Sequence, residues 1–289
     1  MTTTERTGTQ PTTTRADQIS LVKFNLGQME QGGKPIPATN ELEKRLAELA
    51  EGRKVPLVTF NCLEVSWRPD QRRYPQSILT ASLDTAVCRY NRDAIEIVQM
   101  ELAQVGDPEL SIIVPDSELT DARVFSFAQS EAERLTLASS FRKDLSLALF
   151  NSDDDQVKLW SDYCNQQGLR SPTDYTKENY DRIQREPDLL KKVRGQMKDS
   201  RKYLERSGLD KDYIASIRDD EAMERTSWYL AMYMGEGQVL RDSQAIVLNL
   251  EDGRVPAWFQ RGARGSLPIL TPVDATEFYR WRASQMNER

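Results

Sequence analysis

The sequence contains no histidine, and this absence restricts its chemistry more than any other feature of its 289 residues. Without imidazole the chain cannot form a Ser-His-Asp or Cys-His nucleophile system, and it has no histidine ligand for zinc or iron. Proton transfer is left to Tyr, Glu, Asp and Lys, to a Ser or Cys nucleophile, or to hydroxyl groups of a substrate.

Cysteine and long apolar runs are also scarce. Cys62, Cys88 and Cys164 are far apart in the sequence, so neither a disulfide framework nor a C-x-x-C metal or redox pair is expected. No stretch approaches the roughly 20 apolar residues that cross a bilayer, and the Thr-rich start lacks the apolar core of a signal peptide. Glycine-rich phosphate loops of the P-loop or dinucleotide type are absent too. These features predict a cytoplasmic protein with no membrane partner and no metal site.

The charge is uneven along the chain. Its net charge of −6 argues against nucleic-acid binding over the whole surface. Residues 177–206 nevertheless hold ten Lys and Arg against six Asp and Glu, and residues 127–150 carry further basic groups. Phosphate binding requires such a local excess, although acidic and basic residues four apart could equally form a solvated helix surface. The candidate RNA-binding residues are Arg134, Arg142, Lys143, Lys191, Lys192, Arg194 and Lys198.

Strands and helices alternate along most of the chain, which predicts an α/β fold with a Rossmann-like parallel sheet. Residues 1–38 are polar and rich in Thr, Gln, Gly and Pro, so we predict a disordered tail followed by one catalytic domain over 39–289. Strands are predicted at 55–61, 109–116, 244–250 and 266–270. Helices are predicted at 41–52, 77–105, 127–150, 156–168 and 176–206, the last with a break at Pro187, and a further helix ends near Leu240.

Polar side chains follow the first two predicted strands, at the sheet edge where ligands gather. Asn61, Cys62, Glu64 and Ser66 follow the first strand, and Asp116 and Glu118 follow the second. Either Cys62 or Ser66 taken alone is more simply a core thiol or a loop hydroxyl.

A third candidate group lies on the helix that ends near Leu240. Tyr229, Tyr233 and Glu236 are four and three residues apart, which puts them on one helical face. Two phenols and a carboxylate could orient an amine and move its protons without histidine. Aromatic residues at this spacing are more often core, but the flanking Gly235 and Gly237 suggest an unusual helix end.

Four stretches, taken in order, resemble the tRNA-dependent cyclodipeptide synthases. They are "PLVTFNCLE", "IIVPDSE" with "FAQSEAERLTLASSFRKDLSLAL", "NYDRIQREPDLLKKVRGQMKDSRKYL" and "TSWYLAMYMGEGQVLRDSQAIVLNL". The resemblance spans about residues 40–275 and rests on the order of the patterns. It implies a Rossmann domain similar to the catalytic domains of class I tyrosyl-tRNA synthetases. It also implies that two aminoacyl-tRNAs are the substrates and that a cyclic dipeptide, a diketopiperazine of secondary metabolism, is the product.

The chain departs from the family at its nucleophile. The family's Ser falls on Asn61, so Cys62 or Ser66 could replace it, or the reaction could proceed without an acyl-enzyme. The family's Tyr-x-x-x-Glu pair falls on Tyr229 and Tyr233, which passes the carboxylate role to Glu236, and a late-strand Tyr falls near Asn249.

These departures resemble the fungal branch that makes arginine-containing cyclic dipeptides. The acidic residues Glu64, Asp116 and Glu118 would suit a guanidinium group, which makes arginyl-tRNA the expected partner. No cofactor is expected, because the ester to tRNA is already activated. The alternatives are a Rossmann-type small-molecule transferase that does not use tRNA, and a non-catalytic α/β binding module.

Overall fold

A computed structural model of the protein describes residues 14–27, 30–31, 34–35, 40–60, 64–66, 80–82, 85–114, 131–206, 211–250, 255–264 and 266–270. In chain order its elements are α1 (Arg15–Gly27), β1 (Glu30–Gln31), β2 (Lys34–Pro35), α2 (Asn40–Ala50), β3 (Pro56–Phe60), β4 (Glu64–Ser66), β5 (Thr80–Ser82), α3 (Thr85–Ala103), β6 (Glu109–Val114), α4 (Glu131–Phe150), β7 (Val157–Leu159), α5 (Trp160–Gln167), α6 (Pro172–Arg185), α7 (Pro187–Arg206), α8 (Lys211–Ser216), α9 (Asp219–Asp242), β8 (Ile246–Leu248), α10 (Val255–Gly262) and β9 (Ile269–Leu270).

A five-stranded parallel sheet organises these elements, with the strand order β7-β6-β3-β8-β9. All five residues of β3 are buried, as expected for a central strand covered on both faces. The chain moves outward from β3 to β6 and β7, and then returns through α5 to α9 to place β8 on the other side of β3. This arrangement confirms the predicted Rossmann-like α/β fold.

Two apolar cores lie on the two faces of the sheet. One joins Val58 of β3 and Ile113 of β6 to helices α5 to α9 and to α10. The other joins Leu57 of β3 and Ile112 of β6 to α1, α2, α3 and α4. Neighbouring strand residues therefore point into different helical layers, as the two-residue period of a strand requires.

The structure corrects several predicted boundaries. Part of the predicted disordered tail is helix α1, whose Val22 and Leu26 are buried against the α2 and α3 layer. The predicted helix at 77–105 begins only at Thr85, because Thr80–Ser82 pairs with Glu64–Ser66 as a separate antiparallel hairpin. The predicted helix at 156–168 begins with strand β7, which pairs with β6.

The other helices follow their sequence signals. Pro187 begins a new helix, as a proline in a first helical turn can. α6 begins with Pro172 after Ser171, whose side chain forms a capping box with Asp174. None of the described helices is long and apolar enough to span a membrane.

Candidate active site

The order of the strands marks one edge of the sheet as the candidate site. β3 and β8 are neighbours, but the strands that follow β3 in the chain, β6 and β7, lie on one side of it, and β8 lies on the other. In open α/β sheets the crevice at the carboxyl ends of two such strands is the usual ligand site. β3 ends at Phe60, and β8 is followed by Asn249, which is buried.

Helix α9 carries a buried carboxyl group to this edge. The Glu236 side chain is fully buried, and its Oε1 accepts a hydrogen bond of 2.9 Å from Nε1 of Trp160. Trp160 directly follows the last residue of β7, and its ring centroid lies 5.6 Å from that of Phe60 at the end of β3. The carboxylate of Glu236 therefore lies near the carboxyl ends of β3 and β7, oriented by an indole donor.

The two candidate tyrosines lie on the same helix, toward its N-terminus from Glu236. Tyr229 and Tyr233 are both buried, and their ring centroids are 4.6 Å apart with an interplanar angle of 60°. α9 ends at Asp242, shortly before β8 begins, so its C-terminal end lies at the amino edge of the parallel sheet and the part that carries the two tyrosines extends toward the carboxyl edge. All three side chains are buried, as is most of α9 from Thr226 to Leu240, so their burial alone does not test the prediction that they share one helical face.

The glycines beside Glu236 do not end the helix, because α9 continues to Asp242. Gly235 instead allows α6 to approach closely, since a Cβ at this position would overlap the carbonyl oxygen of Pro172. Gly262 of α10 has the same role, and a Cβ there would overlap the carbonyl oxygen of Met234. α9 is thus held by close backbone contacts with two other helices, at the two residues that precede Glu236.

Asn179 of α6 fixes α9 by hydrogen bonds. Its buried Nδ2 donates to the carbonyl oxygen of Ala231 at 3.1 Å and to Oε1 of Gln238 at 2.7 Å. These acceptors lie before and after Glu236 on α9, so Asn179 sets the register of the two helices around the candidate site.

Several predicted site residues fall elsewhere. Asn61, Cys62, Asp116 and Glu118 lie outside the described residues. The backbones of Glu64 and Ser66 belong to β4, which pairs with β5 and not with the parallel sheet.

The candidate RNA-binding residues are divided between the two helical layers. α4 packs on one face of the sheet and α7 on the other. On α4, Arg142 donates to Asp153 at 2.8 Å and to the carbonyl oxygen of Val157 at 3.2 Å, which holds α4 against the segment before β7. Lys143 is exposed, and Arg134 lies on α4, within a stretch where only the backbone is described. On α7 the candidate side chains are all exposed: Lys191, Lys192, Arg194 and Lys198.

Sequence reasoning missed Trp160 and Asn179, which support α9 from other elements. Trp160 lies 76 residues before its partner Glu236, and Asn179 lies 52 residues before Ala231. Their residue types, a tryptophan and an asparagine, are the only signals in the sequence that could have marked these two positions. Among the described residues, no group of three or more His, Cys, Asp or Glu side chains is arranged to hold a metal ion.

No family model, no curated protein and no solved structure matches the chain. The resemblance to cyclodipeptide synthases therefore rests on the order of the sequence patterns.

Proposed function

We propose that the protein is an aminoacyl transferase that joins the amino acids of two aminoacyl-tRNAs into a cyclic dipeptide, one of them arginine. The observation that carries the proposal is the buried face of α9. Glu236, held by Trp160, lies on the same helix as Tyr229 and Tyr233, whose rings are in tilted contact, near the carboxyl edge of a Rossmann-like sheet. In a chain without histidine, these groups can serve proton transfer in a site shielded from water.

The reaction needs little beyond positioning and proton transfer. The α-amino group of one aminoacyl ester attacks the ester carbonyl of the other, which forms one amide bond and releases one tRNA hydroxyl. The second amino group then attacks the remaining ester, closes the ring and releases the second tRNA. In each step the attacking amine loses a proton and the leaving ribose oxygen gains one. A carboxylate with phenols nearby can transfer this proton from the amine to the oxygen.

The amino-acid selectivity and the RNA contacts belong to the same proposal. Glu64, Asp116 and Glu118 would pair with the guanidinium group of arginine. Exposed Lys143 on α4 and the exposed basic side chains on α7 are available for the phosphates of the tRNA, and binding through them should weaken as salt rises.

A three-arm assay with product detection by mass spectrometry tests the proposal. The protein is incubated with arginyl-tRNA and a second aminoacyl-tRNA, with uncharged tRNA and free amino acids, or with free amino acids alone. A cyclic dipeptide in the first arm only is the expected result. Product in the arm without RNA would favour a small-molecule transferase, and no product in any arm would favour a binding module.

A further inference from the structure

Gly195 lies in the middle of α7, where glycine has no evident structural purpose. A Cβ at this position would meet no atom within 4 Å. Glycine inside a helix is less favourable than alanine, because it loses more backbone freedom on folding. This contrasts with Gly235 and Gly262, where a neighbouring backbone excludes a side chain. The packing of the described residues therefore does not explain why position 195 lacks a side chain.

The surface around Gly195 is strongly cationic. Lys191, Gly195, Lys198 and Lys202 follow one another at offsets of four, three and four residues, so they form one stripe along the exposed side of α7. We call this stripe the cationic face of α7. Residues 191–202 contain six Lys and Arg and one Asp, in a chain whose net charge is −6.

The lysines of this face form no ion pair with any of the residues that the structure describes. Within the described part of the chain, the one ion pair that α7 makes between residues 191 and 202 joins Arg201 to Asp219 at 2.8 Å. Lys191, Lys198 and Lys202 are exposed. These three lysines form no ion pair with another described residue, and an external polyanion would relieve the repulsion between like charges on this face.

The shape of the face favours RNA over a membrane. The 11 helical steps from Lys191 to Lys202 span about 17 Å, which is enough to meet several successive phosphates of a nucleic-acid strand. The apolar side of α7 that carries Leu189, Val193 and Met197 is buried in the core, so these side chains are not available to enter a bilayer.

We propose that the cationic face of α7 binds the phosphate backbone of RNA, and that Gly195 is the point where this backbone comes closest to the helix. The inference rests on the proposed function for the identity of the RNA, which would be tRNA. It also distinguishes between the two basic helices. Arg142 of α4 already holds Asp153 and the Val157 carbonyl, whereas the lysines on the face of α7 remain available to phosphates.

Fluorescence anisotropy with labelled, uncharged tRNA tests the inference without requiring catalysis. The test variant is Lys191→Gln/Lys198→Gln. The matched control is Lys44→Gln/Lys54→Gln, which makes the same change in charge at exposed positions before β3. Loss of two phosphate contacts should make the plot of log affinity against log salt concentration shallower by about 1.4 to 1.8. The control should keep the slope of the unaltered protein.

Gly195→Gln tests the close approach. The variant should melt no lower than the unaltered protein, because a Cβ at this position meets nothing within 4 Å and Gln favours a helix more than Gly, but it should bind tRNA more weakly. Equal affinity in this variant would overturn the role of Gly195.

The other outcomes separate this inference from the proposed function. If the α7 variant binds tRNA like the unaltered protein while Lys143→Gln on α4 binds more weakly, the inference fails and the proposed function stands. If the unaltered protein binds anionic lipid vesicles but not tRNA, both fail.

Discussion

The orientation of Glu236 depends on Trp160, whose indole donates to its carboxyl group at 2.9 Å. Trp160→Phe keeps an aromatic ring against Phe60 but removes that donor. Removing one partner of a buried hydrogen bond typically costs about 1 to 3 kcal/mol, because the remaining polar atom stays buried without a hydrogen bond to replace those it made with water. We expect the free energy of unfolding, measured with urea, to fall by this amount and product formation to fall with it.

Trp228→Phe is the matched control, because Trp228 is 38% exposed and stacks on Tyr180 at a centroid distance of 4.4 Å. A phenyl ring retains most of that stacking, so this variant should unfold within about 0.5 kcal/mol of the unaltered protein, as surface substitutions usually do. Equal stability losses in the two variants would show that the hydrogen bond to Glu236 has no special role.

The buried phenol of Tyr163 should make the free energy of unfolding depend on pH in the alkaline range. Burial raises the pKa of its phenol, because the interior disfavours the charged phenolate. The unfolded chain loses this proton near the ordinary tyrosine value while the folded chain retains it. The contribution of Tyr163 to the free energy of unfolding is therefore fully present below the ordinary tyrosine pKa. It is lost as pH rises above that pKa, at about 1.4 kcal/mol per pH unit.

Urea unfolding at pH 9 and pH 11 measures this contribution as the difference between the unaltered protein and Tyr163→Phe. The unaltered protein should lose more stability than the variant, since Tyr175 and Tyr180 titrate in both. Parallel losses in the two proteins would contradict the assignment.

At the scale of elements, the close packing of α9 against α6 requires a glycine at 235. Gly235→Ala forces a methyl group against the Pro172 carbonyl, so the helices must separate. Overpacking of this kind commonly costs about 1 to 3 kcal/mol. Gly195→Ala is the matched control, and we expect it to stabilise the protein by up to about 1 kcal/mol. Thermal melting curves distinguish the opposite signs, and a stable Gly235→Ala protein would contradict the close approach.

The sequence predicted those elements whose signals are local. β3 and β6 are apolar runs bounded by turns, and Pro187 marks a helix start by its own geometry. β7 was predicted as helix because its three residues are too few to show a strand period. α1 was missed because its polar composition hides Val22 and Leu26, whose burial depends on α2 and α3.

The candidate site was predictable in part for the same reason. Tyr229, Tyr233 and Glu236 share one helix, so their spacing alone places them on one face. Trp160 and Asn179 come from other elements, and only the tertiary fold brings them to α9.

In the whole molecule, the fold places the proposed catalytic helix α9 and the basic helix α7 in the same helical layer. α7 and α9 pack in a single core with Val58 of β3. A polynucleotide held on the outer face of α7 and an ester bond near Glu236 would then lie in the same half of the protein. The layer of α1 to α4 would serve mainly to support the sheet.

The most direct test of the account uses tRNA loaded with isotopically labelled arginine and compares Glu236→Gln with Glu224→Gln, an exposed position on the same helix. The unaltered protein and Glu224→Gln should release the label in a cyclic dipeptide. Glu236→Gln, with the Trp160 hydrogen bond retained, should do so at least about 100-fold more slowly, the usual effect of losing a general acid or base. Equal rates in the two variants, or label that never enters a cyclic product, would contradict the account.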